Sequence, residues 1–118
     1  MIAFTSAGRM AQLRRLADAG LSLGLFTNAD AGETFEEPSA REYAPLRIAA
    51  GAWVFDSVAE SASVPERGWV FTSDVGAVFG WFARGATGEV EFYERFSQPI
   101  TINQLGDQIR VAVELTPV

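Results

Sequence analysis

From Ile109 to Thr116 a large apolar residue falls at every second position. Ile109, Val111, Val113 and Leu115 fall on one side, and Arg110, Ala112, Glu114 and Thr116 on the other. A period of two over eight positions is that of a strand with one buried and one wet face. Such a strand needs neighbours to pair its backbone and a second layer to cover its apolar side. A helical bundle is therefore excluded for this part of the chain.

The same period recurs upstream. Leu21, Leu23 and Leu25 alternate with Ser22 and Gly24, and the strand pattern runs over 21–27. Further strands are expected at 46–48 and 52–55 (or one strand broken at Gly51), 69–72, 77–84 and 89–97, the last with Val90, Phe92 and Phe96 on one face and Glu91, Tyr93 and Arg95 on the other. Gly85-Ala-Thr-Gly88 reads as a hairpin connection. Pro99 is expected to interrupt the ladder. Residues 28–41 and 57–67 read as polar loops, the first leading into a helical turn over 39–43 that Pro45 would stop. Ahead of the strands, Met10, Leu13, Leu16 and Ala17 recur at helical spacing over 6–19. Ser6 is the expected N-cap and Gly20 the left-handed stop. The expectation is one domain over 1–118, mainly β: a jelly-roll-like antiparallel β-sandwich with one short N-terminal α-helix at an edge or an end.

Composition decides which chemistries survive. The chain has no Cys and no His, so Ser–His and Cys–His nucleophiles, thiolate or imidazole zinc sites and disulfides are all excluded. Carboxylates remain. Glu33, Glu36, Glu37 and Glu42 lie close in sequence, and paired carboxylates can cleave glycosidic bonds. They do so from a cleft on a rigid frame, so a solvated acidic loop is the better reading of these four. Asn28, Asp30, Gly32 and Glu33 place oxygens at alternate positions as a calcium loop does, but the spaced final Glu and the flanking helices are missing. Neither an enzyme nor a bound metal or cofactor is expected.

With 15 acidic residues against nine cations the net charge is −6, which repels a phosphate backbone; nucleic acid is not an expected partner. All nine cations are Arg, a residue favoured at interfaces. No apolar run is long enough to span a membrane, and the N-terminus lacks the charged-then-apolar pattern of a signal peptide. The chain is expected to be made in a host cytoplasm. Gly20 and Gly24, and Gly76 and Gly80, stand four apart without the Lys-Ser/Thr of a phosphate loop, and are expected at bulges or close backbone approaches. Of the aromatic set Trp53, Trp69, Trp81, Phe79, Phe82, Phe92 and Tyr93, most are expected in the core. Strand 77–84 is apolar on both faces through Val78, Phe79, Trp81 and Phe82, so its second face needs the helix or another subunit as cover.

Residues 69–118 carry a recognisable succession: the strand VFGWFA, a short Gly turn, a strand ending in ERF, a turn with LGDQI and a terminal alternating strand. LSLGLFTN and EYAPLRI add weaker echoes upstream. In this the chain resembles small structural proteins of tailed bacteriophages. The resemblance implies a virion protein with a jelly-roll-like sandwich, either a capsid decoration (cement) protein or a tail- or fibre-associated one. The first reading is decoration: binding to the major capsid protein, and to copies of itself as a trimer. A carbohydrate-binding module is a further alternative, and a small carboxylate enzyme ranks last. The expected contacts are Val78, Phe79, Trp81 and Phe82 between copies, with Ile2, Phe4, Glu33, Phe35, Glu36, Glu37 and Arg41 reaching the shell. Phe4 and Phe35 would be anchors there, unless they fold back onto their own core.

Overall fold

The computed structural model describes residues 2, 3 and 5–116. Helix α1 (Ser6–Asp18) is followed by strands β1 (Leu21–Phe26), β2 (Leu46–Ile48), β3 (Val54–Asp56), β4 (Ser61–Val70), β5 (Gly76–Arg84), β6 (Val90–Ile102) and β7 (Gln108–Leu115), with one 3-10 turn at Ala50–Ala52. The strands form two antiparallel sheets, ordered β2-β1-β5-β6 and β3-β4-β7. The sheets pack as a sandwich with the short helix ahead of them, which is the architecture the alternation demands.

The last four strands are wound as one ribbon. β4 pairs with β7 in one sheet and β5 with β6 in the other. The two crossing segments stay paired through the bend: Phe71 N–H donates to Asp107, Gly106 N–H to Phe71 and Val75 N–H to Ile102. A two-chain ribbon folded from sheet to sheet is the winding of a jelly roll, and here it is confined to β4–β7. The Asp107 carboxylate holds the turn by accepting from Asn103 and Gln104 N–H.

Two strands are longer than their composition suggests. The polar stretch 57–67 is not a loop throughout, because β4 begins at Ser61. Pro65 falls where the β4–β7 register shifts between Val64 and Arg67. Pro99 likewise falls where β6 has four residues, 96–99, opposite Phe79 alone on β5. Each proline sits in a bulge, where a missing N–H costs no ladder bond, and the strand continues past it. A further shift between Ala83 and Arg84 adds Glu91 to β6. It turns Val90 to the opposite face from Phe92, so the two do not share a side as the alternation suggested.

Between the sheets lies the main core, with Leu21, Leu23, Leu25, Val78, Trp81 and Ala83 from one and Val64, Trp69, Ile109, Val111 and Val113 from the other. Met10, Leu13 and Ala17 of α1 add to it, as the helical spacing requires, and α1 lies against β4 and the 3-10 turn. The N-cap is Thr5 rather than Ser6: Thr5 Oγ1 accepts from Gly8 N–H at 3.0 Å. The Ser6 hydroxyl instead donates to Glu60 at 2.6 Å, and Arg9 Nε pairs with the same carboxylate at 2.6 Å. Gly20, at φ +78, provides the left-handed stop. Among the described residues no helix is long and apolar enough to cross a membrane.

Candidate functional site

The outer face of the four-stranded sheet carries a second, smaller apolar cluster of Phe26, Ala31 and Phe82, with Phe35, Phe79 and Val90 packed on it. It is built from a motif used twice. Gly24-Leu-Phe26 on β1 and Gly80-Trp-Phe82 on β5 run antiparallel, so that Gly24 faces Phe82 and Phe26 faces Gly80. Each ring lies over the bare backbone of the opposite glycine. A Cβ on Gly24 would stand 2.5 Å from the Phe82 ring, and one on Gly80 would stand 2.5 Å from the Phe26 ring and 2.2 Å from Glu94 O. The close backbone approach expected of these glycines is found at Gly80, against Glu94 O, and at both positions an aromatic ring fills the space a side chain would take.

The segment between β1 and β2 folds over this cluster. Thr27 N–H donates to Glu36 O at 2.7 Å, the Asn28 amide donates to Thr34 O, and Asn28 Oδ1 accepts from Glu36 N–H. From β6, Arg95 donates to the carbonyls of Ala29 and Ala31 and lies over the Phe26 ring. Phe35 completes the cluster, 5.1 Å from Phe82, 5.2 Å from Tyr93 and 5.5 Å from Phe26 between ring centroids. Farther on, β2 stops pairing at Leu46, and Leu25 N–H takes the Tyr43 hydroxyl instead. That hydroxyl donates to Glu37 at 2.5 Å. Burial and the Glu37 bond raise the Tyr43 pKa well above its ordinary value.

Between residues 32–35 and the β5–β6 hairpin the fold leaves a cleft of about 870 Å³. Phe35, Val90 and Tyr93 give it apolar walls, and Glu33, Glu89 and Glu91 give it carboxylates. Tyr93 keeps 45% of its surface exposed. Arg84 is the lining cation; its guanidinium donates to Gly88 O at 2.9 Å and lies over the Phe82 ring. No group of three or more acidic residues converges closely enough to hold a metal ion among the described residues, so these carboxylates are spread along the walls.

Of the residues singled out in sequence, Glu33, Phe35, Phe79 and Phe82 come together at this face. Val78 and Trp81 belong to the main core instead. The second face of β5 is covered by Phe26 and by the chain's own 27–37 segment rather than by the helix. The phase change that puts Val78 and Trp81 on one side and Phe79 and Phe82 on the other occurs at the bulge between Val78 and Gly80. Phe35 folds back onto its own sheet rather than standing free. Ile2 is 86% exposed, Glu36 and Arg41 are exposed, and Phe4 lies outside the described residues. In place of a helical turn over 39–43 there is one hydrogen-bonded turn, from Ala40 O to Tyr43 N–H. Arg84, Glu89 and Glu91 were not picked out in sequence. Their signal was present in the charges that bracket the Gly85–Gly88 turn.

Two other carboxylates are structural. Glu42 accepts from the Ser73 hydroxyl and from Thr72 and Ser73 N–H, which hold its pKa down at about 2. Glu60 is held down at about 2 by Arg9 and Ser6. Compared with protein-family models, curated proteins and solved structures, the chain has no significant match in any of the three.

Proposed function

We propose that this chain is a structural protein of a tailed-phage virion, a decoration protein that binds the outside of the capsid and stabilises it. The observation that carries the reading is where the phage-like succession falls. Residues 69–116 form one continuous part: the ribbon bend, the β5–β6 hairpin and β7. A resemblance confined to scattered loops would carry little, whereas this one runs through three successive strands, β5 to β7, and the bend of the ribbon. The bend also leaves apolar side chains in water: Val70 and Leu105, on either side of the Phe71–Gly106 hydrogen bond, are 60% and 80% exposed. The stabilising mechanism is mass action, since a ligand that binds the closed lattice and not its loosened forms raises the free energy of disruption.

The trimer expected from the doubly apolar β5 loses that support, because β5 finds its cover within the chain. A carbohydrate-binding role is the second reading, favoured by the half-exposed Tyr93 ring beside carboxylates. The test is reconstitution. Particles lacking the chain should disrupt at lower temperature than complete ones, and the purified chain should restore the difference. Particles indifferent to its removal and return would refute decoration.

A further inference from the structure

We propose that the cleft beside the β5–β6 hairpin is a socket for an arginine or lysine side chain on an exposed segment of the shell protein. The proposal rests on the shell-binding reading and names the chemistry of the contact. Charge argues for it first. Glu33, Glu89 and Glu91 line the cleft, and the two side-chain ion pairs among the described residues, Arg9–Glu60 and Arg110–Glu66, leave all three without a cation. Arg84, which could have neutralised them, is committed to the Gly88 carbonyl and the Phe82 ring. Three carboxylates against one committed guanidinium, on a chain of net charge −6, select a cationic occupant.

The walls fit the rest of such a side chain. A Lys or Arg stem is apolar and lies well on ring surface, which Phe35 and Tyr93 provide, and a cation is attracted to an aromatic face. The socket is also built in advance. Asn28 and Arg95 pin the 28–36 segment by side-chain-to-backbone bonds, and Phe35 is packed against three other rings. A wall that is ordered before binding spares the entropy of ordering it afterwards. A neutral sugar could use the Tyr93 ring but would gain nothing from the accumulated charge.

The test uses the whole chain and a Glu89→Gln/Glu91→Gln variant. Asp18→Asn/Glu114→Gln is the control, with the same change of net charge at residues remote from the cleft. Circular dichroism and melting establish that each is folded. Binding to particles lacking the chain should weaken about tenfold or more for the cleft variant and little for the control. A hexa-arginine peptide should shift the amide resonances of residues 32–35 and 84–93 of the parent, and chito- and cello-oligosaccharides should not. Equal weakening in both variants would reduce the effect to net charge and overturn the socket. So would a cleft variant that binds particles as the parent does, although shell binding would then stand. If the parent fails to bind particles, the shell reading falls, and with it the named partner. Resonance shifts with the oligosaccharides and none with the peptide would reassign the cleft to carbohydrate.

Discussion

A methyl group at Gly80 would stand 2.2 Å from the Glu94 carbonyl oxygen and 2.5 Å from the Phe26 ring. Backbone cannot yield as a flexible side chain can, so Gly80→Ala should cost at least about 2 kcal/mol of stability, the scale of overpacking. Gly51→Ala, with nothing within 4 Å of the added carbon, should stay within about 0.5 kcal/mol of the parent. Denaturant unfolding of the two variants checks this pairing. The carboxylates give a second residue-scale prediction. Glu42 and Glu60 both have folded pKa values of about 2, against an ordinary 4.5. A folded value below the unfolded one means that the fold favours the ionised form. The contribution is complete above the unfolded value and is lost as pH falls from about 4.5 to about 2. Glu42→Gln should therefore melt below the parent at neutral pH, and the gap should narrow through that window. A gap that stays constant down to pH near 2 would mean that ionisation of Glu42 contributes nothing.

At the scale of elements, β7 was the clearest reading in the sequence. Val113, 2% exposed and opposite Val64, lies where the alternation places it. Val113→Asp would bury a charge without a partner and should cost about 3 kcal/mol or more, enough to unfold a domain of ordinary stability. Glu114→Gln on the wet face of the same strand should leave the melting temperature within about a degree or two. Phe35→Ser should lower stability by about 1–3 kcal/mol, because the ring is shared by Phe26, Phe82 and Tyr93. Strand existence was readable wherever apolar alternation was strong, and α1 was readable from its 3.6 period. What could not be read was the phase of the long strands. Pro65 and Pro99 look like terminators in one dimension, because sequence shows the missing N–H but not the bulge that makes it harmless. Within residues 61–67, Ala62 and Val64 are buried while Pro65, Glu66 and Arg67 face water, and so mixed a run reads as a loop until its partner strand is known.

For the molecule as a whole, the β-sandwich was legible and the cleft was only half so. The acidic loop and Phe35 stood out as unusual for a connection. The wall opposite them comes from the β5–β6 hairpin, some fifty positions away, and only the fold brings Glu33 beside Glu89 and Glu91. The repeated Gly-x-Phe was in plain view at Gly24 and Gly80, but its meaning depends on the β1–β5 register that sets each ring over the other strand's glycine. The central claim is that the whole domain is a part of a shell, and counting tests it most directly. Quantitative mass spectrometry of purified particles should find this chain in a constant ratio to the major capsid protein, at hundreds of copies per particle. A handful of copies would place it at the tail, and no copies at all would contradict a virion role.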